Sequence, residues 1–137
     1  MTLSQAFNGA MGRYDGKNFV SLCENDQILV TIWGLETDVN NGGFDQYYQN
    51  SAGNQACYAP AALRKIGAHT MAALVERANA VFGPNGPPAQ RFKREREVRR
   101  INETIGDAWG VIDVAFFAYP DDISDLLEKH LGLEHVA

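Results

Sequence analysis

The chain has 137 residues, the length of one domain, and at that size it buries roughly 70% of its unfolded surface, so a core needs neither disulfides nor metal. Apolar residues make up 45% and charged residues 21%, and no apolar run reaches the ~20 residues that cross a bilayer. The net charge is -5, which argues against a nucleic-acid-binding surface spread over the whole molecule.

That charge is unevenly placed. Residues 91–100, RFKREREVRR, hold six of the twelve basic residues and two acids; the rest carries six basic residues against fifteen acids, a balance of -9. Glu95 and Glu97 interrupt the basic run, which favours a solvated or internally paired segment over a nucleic-acid patch. Cys23 and Cys57 match no metal or redox spacing and are expected as buried free thiols. The start, MTLSQAFNGAMGRYDG, lacks the basic-then-apolar layout of a signal peptide, so a cytoplasmic location is expected.

Residues 1–20 read as an amino-terminal segment with a short helix near Leu3–Met11 and a loose end. The single helical domain spans 21–137. Ser21 and Glu24 have capping-box spacing and open a helix over Leu22–Asn40, with Leu29, Ile32, Trp33 and Val39 on one stripe. Asn40-Asn41-Gly42-Gly43 ends it, because Gly and Asn accept the backbone of a helix carboxyl terminus. A short helix follows at Phe44–Asn50, with Phe44, Tyr47 and Tyr48 inward. Pro60 begins a third helix that stops at Gly67. Over His69–Phe82, Met71, Leu74, Val75, Ala78 and Phe82 keep helical spacing. Residues 83–88, GPNGPP, form a loop. A long helical stripe runs from Ala89 to Tyr119, weakened at Gly106 and Gly110, and stops at Pro120. Asp122 and Asp125 cap a last helix over Ile123–Leu131. The fold class is all-α, with five to six main helices and no strand pattern.

The unusual segment is polar. Glu36 falls on the apolar stripe with Ile32 and Trp33, so its carboxylate needs hydrogen-bond partners. Two readings stand side by side. In the structural one, Glu36 accepts amides from the Gly42-Gly43 turn, while Asn40, Asn41, Gln46 and Asn50 satisfy other helix-end groups. In the other, Glu36, Asn40, Asn41, Gly42, Gly43, Phe44, Gln46, Asn50 and Ser51 line a pocket for a peptide or small molecule.

The string W-x-L-E-x-x-V-N-N-G-G-F-x-Q-Y-x-x-N-S-x-G, from Trp33 to Gly53, resembles the signature of the DNA mimic protein 19 family. Two further blocks resemble it in order: Ala62–Ala68, ALRKIGA, and Phe116–Leu127, FFAYPDDISDLL. The resemblance covers roughly residues 20–130. It implies a helical domain with no cofactor, and a protein partner such as a DNA-binding protein whose DNA-binding surface the member occupies. Related domains near toxin–immunity systems suggest an immunity role by analogy.

A DNA mimic needs carboxylates spaced like phosphates, about one charge per 1.7 Å of duplex axis. The strongest acidic set here is Asp113, Asp121, Asp122, Asp125, Glu128 and Glu134. The first five are the candidate partner-binding residues, facing a basic protein surface; capping and solvation account for the same residues without a partner.

Catalytic patterns are lacking. His69, His130 and His135 have no metal spacing, the glycine pair has no phosphate-loop lysine, and no nucleophile elbow occurs. Arg91 and Arg94 are placed to pair with Glu36, which would make a structural ion pair. The sequence therefore points to a non-catalytic protein-binding domain, a DNA-mimic-type inhibitor or an immunity protein. It binds no metal, membrane or nucleic acid on this reading, and a homodimer is allowed. The alternative is a ligand-binding or enzymatic domain built on Glu36 and Asn40–Gly43.

Overall fold

The computed structural model describes residues 1–15 and 17–135. Among them are seven α-helices and no strand: α1 (Leu3–Tyr14), α2 (Glu24–Gln49), α3 (Ala59–Lys65), α4 (His69–Ala80), α5 (Arg91–Ile105), α6 (Gly110–Phe117) and α7 (Ile123–Leu131). Short 3-10 turns lie at Phe19–Ser21 and Ser51–Gln55. The all-α expectation holds, with one or two helices more than expected.

The difference lies at glycines. The stripe from Ala89 to Tyr119 is two helices, because Gly106 turns to φ 85° at the end of α5 and α6 starts at Gly110. That backbone favours glycine, and the chain changes direction without giving up the apolar stripe. Conversely, the segments on either side of Asn40–Gly43 follow without a loop. Gly42 (φ -153°) and Gly43 (φ 76°, ψ -177°) kink α2 inside one continuous run.

Helix starts also differ from expectation. Ser21 ends a 3-10 turn, and α2 begins after Cys23 with no side-chain cap. The capping box sits instead at Thr2 and Gln5, each side chain accepting the other's backbone N–H. It opens α1, which buries Ala6 and Ala10 and packs on α2 and α7, so the short helix expected near Leu3–Met11 is present and runs on to Tyr14. Arg13 of α1 donates to both oxygens of the buried Asp26 of α2, at 2.6 and 3.0 Å. That bidentate bond holds the Asp26 carboxyl below its ordinary range. Both thiols, expected inside, are exposed and free, since each lies at the mouth of a helix rather than on a stripe.

α2 is the axis, packed by α1, α3, α5 and α6. It supplies Ile28, Ile32, Leu35, Val39, Phe44, Tyr47 and Tyr48 to the core. An aromatic cluster joins its carboxyl-terminal half to α6: Phe44 meets Phe116 at 5.6 Å, Tyr48 meets Trp109 at 5.2 Å, and Phe82 packs on both Tyr48 and Trp109. Two of the buried polar tips are bonded, Tyr48 Oη to Asn79 and Trp109 Nε1 to the Ala78 carbonyl, whereas the buried Tyr47 hydroxyl has no hydrogen-bond partner among the described residues. Such rings contribute area and orientation together.

Candidate functional site

The polar motif on α2 resolves into three separate arrangements. The first is an arginine clamp that the sequence reading misassigned. Arg94 of α5 is fully buried, and it points away from Glu36, toward backbone. Nε donates to the Tyr48 carbonyl (2.6 Å), Nη1 to those of Pro88 (3.0 Å) and Ala89 (3.1 Å), and Nη2 to the Asn50 carbonyl (2.7 Å) and Asn54 Oδ1 (3.0 Å). All five guanidinium N–H groups are used. The motif's last glycine, Gly53, is required here: a Cβ would stand 2.6 Å from the Tyr47 carbonyl and 2.8 Å from Arg94 Nε. Arg91 likewise serves the helix end, donating to the Gln49 carbonyl and to Glu95. The signal in the sequence was Gly53 itself, a glycine followed by a distant basic residue; spacing alone could not pair them.

The second arrangement is the glycine kink. Its free amide is satisfied by Asp113, not Glu36: Phe44 N–H donates to Asp113 Oδ1 at 2.8 Å. A Cβ on Gly43 would lie 2.9 Å from the Asp113 carboxyl carbon. Burial raises the Asp113 pKa, the Phe44 amide opposes that shift, and Asp107 and Asp45 add to it. Around the kink, Gln46 accepts from Asn41 and donates to Asp38 Oδ1 (3.2 Å), which Asn50 Nδ2 also reaches (3.2 Å). Asn40 and Ser51 are exposed.

The third is Glu36. It is half-buried and faces Tyr119, with no bond to residues 40–50, so the expected pairing with that turn is replaced. Burial pushes its pKa up to about 7; the Tyr119 hydroxyl favours the charged form and the Asp122 carboxylate disfavours it. Tyr119 has φ 53°, rare for a residue with a Cβ, at the corner from α6 toward α7.

The candidate acidic face is built largely of helix caps. Asp113 caps the second half of α2. Asp121 accepts from Met71 N–H in the first turn of α4 at 2.8 Å. Asp122 caps α7 through Asp125 N–H, as expected. Asp125 pairs with Lys129 at 2.9 Å, and Glu128 with His135 at 2.9 Å. Removing the Asp121 cap, for example Asp121→Ala, is expected to lower stability by about 0.5–2 kcal/mol. Thermal melts would read this, and a midpoint equal to wild type would show that Asp121 is not a cap in solution.

The basic run is thinned too. Arg94 is buried, Arg91 pairs with Glu95 and Arg100 with Glu97. Lys93, Arg96 and Arg99 remain exposed on α5. Among the described residues no group of three or more His, Cys, Asp or Glu is placed to hold a metal, and no helix is long and apolar enough to cross a membrane.

An all-helical domain with a signature spent largely on its own kink and clamp is the class of protein described by this geometry. The family model of DMP19-like protein matches residues 21–133, and the chain belongs to that family. No curated protein and no solved structure matches the chain.

Proposed function

We propose that this chain is a non-catalytic protein-binding domain, and that α6 is its contact surface. The observation that carries this is the outer face of α6. Val111, Val114 and Phe117 recur at helical spacing and are 79%, 70% and 51% exposed. Apolar side chains aligned on one exposed face mark contact surfaces for other macromolecules. Acids stand at both ends in sequence: the exposed Asp107 precedes α6, and Asp122, exposed although its Oδ1 caps α7, follows it. The partner that fits has an apolar centre and a basic rim. Membership of the DMP19-like family supports a DNA-binding protein as that partner, held by imitation of its DNA. An immunity-type complex with a toxin is the second reading, and it uses the same face.

Ligand binding or catalysis at Glu36 and Asn40–Gly43 has less support, because Gly43, Gln46 and Asn50 are committed to the kink and to Arg94. The double substitution Val111→Glu with Val114→Glu tests the proposal. Both positions are exposed, so the melting midpoint should stay within a few degrees. Affinity for a partner captured from the source cell should fall at least ~100-fold, as when central apolar anchors are lost. Duplex DNA should then displace a DNA-binding partner and leave a toxin complex intact. Capture that survives the double substitution unchanged would remove α6 as the surface.

A further inference from the structure

A cleft on another part of α2 is left unexplained by the kink, the clamp and α6. It lies between α1, α2 and the Ser51–Gln55 turn, with a volume of about 220 Å³. Its walls are Met11 and Tyr14 of α1 and Val30 and Trp33 of α2; Asp38 and Gln55 supply polar groups. The cleft exists because Gly34 lets the turn approach closely: a Cβ there would be 2.8 Å from the Ala52 Cβ. Trp33 is 42% exposed, unusual for a tryptophan on the stripe of a central helix, and one side of its ring is held by Phe7 at 5.2 Å.

Asp38 gives the cleft its sign. Its Oδ1 is fixed by Gln46 and Asn50, while no Lys or Arg among the described residues reaches ion-pair range of either oxygen. A carboxylate with one oxygen pre-oriented and the other unclaimed, beside two aromatic rings and a methionine, matches one side-chain chemistry closely. A guanidinium stacks on aromatic faces, forks onto a carboxylate and carries an apolar stem. The volume suits a single side chain rather than a peptide segment.

We propose that this cleft receives one arginine side chain of a protein partner, with Asp38 binding the guanidinium and Trp33 stacking on it. This rests on reading the chain as a protein-binding domain and adds an anchor separate from α6.

The test uses the 15N-labelled full chain and a capped Gly-Arg-Gly peptide. The two indole N–H signals report independently, since Trp109 is buried and bonded to Ala78. The Trp33 signal should shift saturably and the Trp109 signal should stay. The same peptide with citrulline, equal in shape but uncharged, should bind at least ~10-fold more weakly. Asp38→Asn keeps the oxygen that Gln46 and Asn50 reach and should lose the same factor; an unchanged Trp109 signal certifies its fold. Free L-arginine should bind no more tightly than the peptide. Absence of a saturable Trp33 shift, equal binding of the citrulline peptide by the unaltered protein, or clearly tighter binding of free arginine would overturn the proposal, the last in favour of a metabolite site. Partner capture that depends on α6 while the Trp33 signal ignores the arginine peptide would remove this inference alone. Arginine-specific binding without α6-dependent capture would remove the α6 reading alone.

Discussion

Replacing Arg94 with methionine is expected to cost about 1–3 kcal/mol of stability, the range for leaving a buried hydrogen-bonding group unsatisfied. Methionine keeps much of the apolar volume, so the loss comes from the polar atoms left behind. The carbonyls of Tyr48, Asn50, Pro88 and Ala89 and the Asn54 side chain each lose a donor, and at the buried Tyr48 carbonyl water has no ready route to replace it. Lysine should rescue little. An ammonium has three donors from one centre, whereas these five acceptors surround a planar fork. Urea denaturation of both variants would read the effect as a lower midpoint with unchanged slope. A loss under about 1 kcal/mol for Arg94→Met would mean that the clamp opens in solution. The consequence for function is positional: Arg94 fixes the end of α2 against the start of α5, and the turn it seals forms one wall of the Asp38 cleft.

The second large effect is a pH dependence set by Glu36. Its folded pKa, about 7, lies above the ordinary value of 4.5, so between those limits the folded chain holds a proton that the unfolded chain has released. Stability then falls as pH rises through this window and levels off above it. Because Glu36 is only half-buried, the loss is set at about 2 kcal/mol between pH 4.5 and pH 7.5. Glu36→Gln should abolish most of that slope. It should be close to neutral at pH 5 and stabilising at pH 8. Asp26 acts in the opposite sense and in a different window. Its pKa is lowered by Arg13, so its contribution is present above the unfolded value near 4 and lost at lower pH. Urea melts of wild type and Glu36→Gln at pH 5 and pH 8 separate the two. Parallel stability curves for the two chains would place the Glu36 carboxylate in a solvated, ordinary environment. The corner that Glu36 supports, Tyr119, joins α6, the proposed contact surface, to Asp121 and Asp122, so on that proposal partner binding near neutral pH should weaken alongside stability.

The helical class was legible because it rests on periodicity. Met71, Leu74, Val75 and Ala78 lie inside as their spacing requires, and Val98, Ile101, Ile112 and Phe116 form the buried stripe of α5 and α6. The breaks at Gly43 and Gly106 were legible as glycines, and the Asp122 cap as a local pairing three residues long. The family resemblance stood on a contiguous string, which needs no folding to be read. What stayed hidden involves partners far apart in sequence. Asp113 reaches Phe44, Asp121 reaches Met71 and Arg94 reaches Tyr48, and in each case the amide or carbonyl served carries no mark in the side-chain sequence. Charge counting therefore overstated the free acidic face, because it cannot distinguish a carboxylate facing solvent from one bonded to a helix end.

Sequence by itself determined that this is a helical domain with a helix break at Asn40–Gly43, an asymmetric charge and a family signature, since helical period, glycine freedom and local caps act over a few residues. Tertiary structure decided which polar residues are spent on the fold and which remain available. Packing α5 and α6 against α2 consumes Arg94 and Asp113, whereas the approach of the Ser51–Gln55 turn leaves Asp38 and Trp33 lining an open cleft. That division depends on where helix ends meet in space, because unbonded backbone groups there capture whichever charged side chain arrives beside them.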